Sequence, residues 1–419
     1  MPTHAVLARP DTARHAAEHP GEPPRSTSTR GDVHLVVAGT RVGGGAGTAV
    51  ARRAAPLAAL VLVLMGGPFS SAPADATTPR ALTPEAFGAV GDGTADDTAA
   101  LRRALDALRP GDTLVIGTGK VYTHSDVLTI STPDVRIAGS GTLLATEESR
   151  SAVFVDADDV EIDDTTFAMK ATTRRWGTFE QMKLRLGERS GIVLRRVQVD
   201  GSAAAGIYAW GTSNFLMEDV RVRDTRADGI HITGTSHDGR VHHPVVDRTG
   251  DDGVGIVSYQ ADKVPVRRIL VDAPVVRDNR WGRGMSVVGG EDITFLNLDI
   301  RRSSAAAVYI ASEGSPWNTF APVRVKVQRA RLRGSNTAAE VDHGAFLVYA
   351  GNPQQTPQDI FADGVSISDT RREASSQVGL RADGGCTMRR VTLSRFKVTG
   401  GGNVFSSNVP DSAYVRTGW

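Results

Sequence analysis

The chain has a single cysteine, Cys386, among 419 residues. An internal disulfide is therefore impossible, and the fold must rest on packing alone, with Cys386 expected in the core. Aromatic residues make up only 5%. The charges nearly cancel, 48 basic against 47 acidic side chains, so no basic excess is available to hold nucleic acid or another polyanion. The apolar stretch Ala54–Met65 is shorter than the ~20 residues a spanning helix needs, and no other segment comes closer. The P-loop, the dinucleotide fingerprint and the Gly-x-Ser-x-Gly elbow are all missing. His237, His242 and His243, with Asp238 and Asp247, lack the spacing of a standard zinc site. They read as one wall of a groove, and neither metal nor cofactor is expected.

Glycine is abundant, with 45 residues, and it punctuates a recurring phrase. Asp228-Gly229-Ile230-His231-Ile232 returns 24 residues later as Asp252-Gly253-Val254-Gly255-Ile256. Each copy alternates apolar and other positions, as a strand with one buried face does. Weaker copies begin at Gly191, Gly206, Gly284, Ala307, Gly344 and Gly379, and from Gly206 onward the steps are 23, 24, 31, 23, 37 and 35 residues. Further apolar runs lie between them, such as Phe215-Leu216-Met217 and Ile293-Thr294-Phe295. Short strands repeating about every two dozen residues predict an all-β parallel β-helix, with loops filling the longer steps. A leucine-rich repeat would need a leucine and asparagine pattern that is missing.

Coil stacking gives the aspartates a spatial meaning. Equivalent positions on neighbouring coils lie about 4.8 Å apart, so Asp228 and Asp252 become rung neighbours with Asp251 beside them. Carboxylates this close repel, and at least one is expected to hold its proton at higher pH than usual, as a general acid must. Alternation puts Ile207, Ile230, Ile232, Val254, Ile256, Met285, Val287, Val308 and Ile310 in the core. It lines up Tyr208, His231, Gly255, Ser286 and Tyr309 on the outer face, with Gly255 as a gap beside the aspartates.

Further towards the N-terminus, residues 1–49 read as unstructured, or as sequence upstream of a true start near Val42 or Val50. Arg52-Arg53, the apolar run and Ala74-Asp75-Ala76 compose a secretory signal over residues 50–76. Residues 77–419 remain as one exported domain. Short strands are expected at Thr113–Ile116, Val127–Ile130, Val135–Ala138, Val153–Val155 and Val160–Ile162. The segment Arg174–Arg185 interrupts the pattern as a loop or short helix above a groove. Phe87–Leu108 carries turn and capping aspartates (Asp92, Asp96, Asp97) before an amphipathic helix, Ala99–Leu108. This stretch closely resembles the N-terminal segment of the pectate-lyase-like superfamily, where the helix covers the open end of a right-handed parallel β-helix, and the resemblance implies that hand and that cap here.

Arg226-Ala227-Asp228-Gly229-Ile230 followed by Gly250-Asp251-Asp252-Gly253 resembles the motifs of glycoside hydrolase family 28, the polygalacturonase family, which has Asn-Thr-Asp and then Gly-Asp-Asp. The resemblance implies an inverting, polysaccharide-degrading hydrolase, and the signal segment makes it a secreted one. The same resemblance makes Asp251 the general acid and lets Asp228 and Asp252 hold the attacking water. Two departures follow. The family's Gly-His-Gly is Gly282-Arg283-Gly284 here, and its carboxylate-binding Arg-x-Lys is replaced by Val308-Tyr309-Ile310-Ala311 with Glu313 nearby. The expected substrate is therefore a glycan other than polygalacturonate, contacted by Tyr208, His231, Arg283, Tyr309 and Glu313, with Trp210 and Trp281 as walls. Spacing alone leaves the stereochemistry open, because adjacent-rung carboxylates are closer than an inverting pair requires. A lyase or uronate epimerase on the same fold, and a non-catalytic glycan-binding solenoid, are the alternatives.

Overall fold

The computed structural model describes residues 78–419; the expected signal segment lies outside them. They form a right-handed parallel β-helix. Each central coil contributes three strands. Ile207–Trp210, Ser213–Glu218 and Arg221–Thr225 make up one coil, and Ile230–Thr233 begins the next. The first strand of each coil joins an 11-stranded sheet, and the other two join a continuous 22-stranded sheet that wraps the remaining sides. Strand pairing is parallel within both sheets.

Every expected core residue from Ile207 to Ile310 is fully buried. Ile207, Ile230, Val254, Met285 and Val308 stack in register along the axis. Fully burying such a side chain contributes roughly 1.5–3 kcal/mol, and stacking repeats that gain at every coil. The last two copies of the phrase sit out of step with the sequence reading. Val308 pairs with Phe346, not Ala345, and Gly379 pairs with Leu347 on the outer row. Gly344 instead occupies the turn, at φ +67°, where a Cβ would come within 2.2 Å of the Ser376 carbonyl oxygen.

The early strands form where expected, within a residue or so at each end. The capping helix spans Thr98–Asp106, and Leu101 and Leu105 close over Leu114, Ile116, Leu128 and Ile130. Asp96 accepts from the Thr98 amide at 2.9 Å, while Asp97 turns back to the amides of Val90 and Gly91. Asp92 closes its own turn on Thr94 and Ala95. Cys386 is half-buried against the core edge, less enclosed than expected.

The corners of the 22-stranded sheet hold residues in the left-handed region, and glycine fills only a few of these positions. One column reads Asp238, Arg268, Asp292, Arg324, Asp359, Arg390 on successive coils, all with φ between 52° and 57°. Each arginine grips the aspartate of the preceding coil in the pairs Arg268–Asp238, Arg324–Asp292 and Arg390–Asp359, with two bonds of 2.6–2.9 Å. A second column, Asp224, Arg248, Asp278, Arg302, repeats the device. The left-handed conformation disfavours any L side chain by about 1–2 kcal/mol, and the paired fork-on-carboxylate geometry offsets part of that.

Candidate active site

The three aspartates lie in the turns that enter the first strands of two adjacent coils. Asp251 is therefore in a turn and not on a strand. Hydroxyls shape these turns: Thr225 donates to the Ala227 carbonyl and Thr249 to the Asp251 carbonyl, each at 2.7 Å. Asn279 from the next coil ties both Thr249 and the Asp251 carbonyl. A small residue is needed on the rung after Asp251. Gly282, at φ +81°, leaves room for its carboxylate, which a Cβ would approach to 2.4 Å.

Asp228 and Asp252 are rung neighbours as expected. The Asp252 amide donates to Asp228 Oδ1 at 3.1 Å, and His231 Nδ1 bonds Asp228 Oδ2. Asp252 accepts from the Arg283 amide at 2.7 Å and from the Ser286 hydroxyl. The outer row runs Tyr208, His231, Gly255, Ser286, Tyr309 in register, as alternation predicts. At Gly255 the gap is taken by the carboxylates themselves: a Cβ there would meet Asp228 Oδ2 at 3.2 Å and Ser286 Oγ at 3.5 Å.

The row faces away from the core, yet most of it is covered. Tyr208 and Tyr309 are only 3% and 4% exposed. Tyr208 stacks on His231 with centroids 5.2 Å apart, and Phe179 lies against both Tyr208 and Trp210. Tyr309 stacks on His343 at 5.3 Å, and the Arg283 guanidinium lies 4.5 Å from its ring centre. These rings back the site from either side along the axis. Trp281 is 43% exposed and stands at the mouth.

Charge is closely matched around the cluster. Arg283 pairs with Asp252 at 3.5 Å and with Glu313 at 3.3 Å, and Tyr309 donates to Glu313 at 3.1 Å. Arg175 pairs with Asp251 at 2.8 Å. Burial raises all three aspartates, and neighbouring charges then separate them. His231, Arg175 and Arg283 bring Asp228 below the ordinary carboxylate value. Asp251 stays raised by burial despite Arg175, with Asp228 adding to the rise. Asp252 is pushed up to about 7 by burial, against Arg283 and with Asp251 and Asp228 reinforcing it.

Sequence reading missed Arg175. It belongs to the segment Arg174–Arg185 that interrupts the strand pattern. That segment is a loop with one short helical turn at Phe179–Gln181. It is anchored by Trp176 Nε1 on Glu148 at 2.7 Å and by Arg226 on Thr172 at 2.7 Å. The histidine cluster is corrected as well. His237–His242 is a strand of the 22-stranded sheet, away from the sheet that carries the aspartates, so it walls no groove there. Among the described residues no group of acidic, histidine or cysteine side chains is arranged to hold a metal.

No protein-family sequence model and no curated protein matches the chain. Solved structures do match in fold. The catalytic unit of a thermostable GH87 α-1,3-glucanase from Streptomyces thermodiastaticus aligns at TM-score 0.56 and 19% identity, over 80% of this chain and 67% of that one. The endo-xylogalacturonan hydrolase of Aspergillus tubingensis aligns at 0.57 and 16%, over 80% and 98%. The A-module of the mannuronan C-5 epimerase AlgE4 of Azotobacter vinelandii aligns at 0.55 and 14%, over 80% and 99%. The chain therefore shares the parallel β-helix fold of these proteins.

Proposed function

We propose that the chain is an exported glycoside hydrolase that cleaves a neutral polysaccharide at the Asp228–Asp251–Asp252 cluster. The observation that carries this reading is the packing of three buried carboxyl groups into one pair of adjacent turns, each with different partners: His231 and the Asp252 amide on Asp228, Arg175 on Asp251, and Ser286 with the Arg283 amide on Asp252. Against burial, its charged neighbours set Asp228 below the ordinary carboxylate value, while burial raises Asp251 and Asp252. Hydrolysis of an acetal needs one carboxyl group to give a proton and another to take one.

In this reading Asp251, the more accessible of the raised pair, protonates the glycosidic oxygen as its bond to the anomeric carbon breaks. Asp228 and Asp252 hold a water whose oxygen bonds that carbon, and Asp228 accepts the water's proton. His231 steadies Asp228 through Nδ1. The resemblance to family 28 supports this division of roles and supports inversion. A separate parallel comes from a GH87 α-1,3-glucanase whose sugar complexes were obtained with either of two aspartates changed to alanine, 24 residues apart. Asp228 and Asp252 have the same separation.

Substrate charge follows from the arginines. Arg283 is engaged by Asp252 and Glu313, and Arg175 by Asp251. A uronate carboxylate arriving here would meet Arg283 already held between Asp252 and Glu313, and would be repelled by Glu313. This argues against polygalacturonate, and equally against lyase or epimerase chemistry, which needs a cation to neutralise the sugar carboxylate. The test is incubation with α-1,3-glucan, xylogalacturonan, mannuronan and polygalacturonate, counting new reducing ends and following ultraviolet absorbance. Reducing ends are expected from neutral glucan, with little from polygalacturonate. Release from polygalacturonate alone, or an unsaturated product, would refute the proposal.

A further inference from the structure

Arg175 reaches Asp251 from a loop 76 residues earlier in the chain. Its side chain is 50% exposed, whereas that of Asp251 is 13% exposed. The guanidinium also lies over the Trp281 ring, 5.9 Å from its centre. The loop is pinned on both sides of it. Thr172 is held by Arg226, the Trp176 amide donates to the Ala203 carbonyl at 2.9 Å, and the Arg174 guanidinium stacks 3.7 Å above Trp176. The Arg175 side chain is thus free to swing while its backbone stays in place. What it covers is a carboxyl group and the face of an exposed indole, the two surfaces that a sugar with a scissile oxygen needs.

Resting on the hydrolase reading above, we propose that Arg175 is a displaceable counter-ion. It occupies Asp251 and Trp281 in the empty site, and it leaves when a sugar ring settles on Trp281. The groups facing Asp251 are Arg175 from the loop, Asp228 on the preceding coil, Asp252 beside it, and Arg283 and Tyr259 on neighbouring elements. Arg175 favours the anion. Once it has left, burial and Asp228 act against Arg283 alone, and the Asp251 carboxyl holds its proton to still higher pH before it is asked to give it. The arginine is therefore a positioning residue that ties protonation of the acid to occupancy of the site.

The two pH profiles separate this from a structural role, because kcat/KM reports the free enzyme and kcat the complex. With α-1,3-gluco-oligosaccharide as substrate, Arg175→Gln is expected to move the alkaline limb of kcat/KM upward by about 1 unit or more, the usual effect of removing an opposite charge at this range. The alkaline limb of kcat is expected to stay where it is, and Arg175→Lys to restore the wild-type profile. Both limbs moving together, or neither moving, overturns the proposal. Carboxyl-carbon titration of ¹³C-aspartate-labelled free protein, with Asp251→Asn to assign the signal, reads the ion pair without any turnover. A titration shift in Arg175→Gln, combined with no wild-type hydrolysis of any glycan, would show that the hydrolase reading had failed and the displacement with it. An unshifted signal in an active enzyme would sink the counter-ion alone.

Discussion

Lys183 invites the sharpest test of the physical reasoning. Its side chain is completely buried in the early coils, and among the described residues no carboxylate pairs with it. The amine donates to the Ser151 carbonyl at 2.9 Å and lies 3.2 Å from His124 Nε2, whose own Nδ1 faces the Asp126 carbonyl at 2.9 Å. Burial pushes its pKa down from 10.5 to about 7. Between those values the unfolded chain carries the proton and the folded chain does not. Stability therefore rises with pH across this window by about 1.4 kcal/mol per unit. The penalty is complete below pH 7 and amounts to about 5 kcal/mol. Lys183→Met keeps the length and removes the charge. It also forfeits two hydrogen bonds, together about 2–3 kcal/mol once the Ser151 carbonyl is left unpaired. The net expectation at pH 6 is a gain of about 2 kcal/mol, which disappears and reverses by pH 10. His124, pushed down to about 3 mainly by burial, adds a further loss of stability in both proteins as pH falls below its ordinary value. Thermal melts of both proteins at pH 6, 8 and 10 measure this. A variant less stable at pH 6, beside a wild type whose stability is flat between pH 7 and 10, would refute the argument.

Further outcomes are expected elsewhere. Asp228→Asn, Asp251→Asn and Asp252→Asn should each retain the fold by circular dichroism and reduce kcat by about 10²–10⁴-fold; near-normal turnover in all three removes the site. Gly282→Ala puts a methyl group 2.4 Å from the Asp251 carboxylate and 2.7–2.8 Å from the Asp251–Asp252 backbone, in a left-handed conformation that itself disfavours it by about 1–2 kcal/mol, so melting temperature and activity should both fall, and an unchanged melting temperature speaks against this packing. Arg324→Ala unpairs Asp292 at a corner and should destabilise by about 1 kcal/mol, a loss that high salt diminishes; an unchanged melting point at low salt speaks against the column.

The parts of the fold that obey a period were legible. Ile230, Val254 and Met285 share a rung because alternation and a glycine start recur together, and the same rule placed Asp228 beside Asp252. It failed at Gly344 and Gly379, where glycine serves a turn and an outer row, so a start signal was misread. Arg175 was beyond reach for a different reason. Loops have no repeat, and a contact spanning 76 residues depends on where Trp176 and Thr172 are pinned. The cover over Tyr208 also comes from such a loop, which explains why a row correctly predicted to face outward is not open. The histidines read as a groove wall because the strand in His237–His242 went unrecognised, although its alternating Gly239 and Val241 face the core.

The corner columns bear on how a chain like this can change length. In the run Asp238, Arg268, Asp292, Arg324, Asp359, Arg390, every second coil carries the same sign. Removing one whole coil from the middle would set aspartate against aspartate, or arginine against arginine, at about 4.8 Å. Removing two restores the alternation. Viable insertions and deletions in this part of the solenoid should therefore come in pairs of coils, and a folding chain that skips one rung meets repulsion at the corner before its core can close.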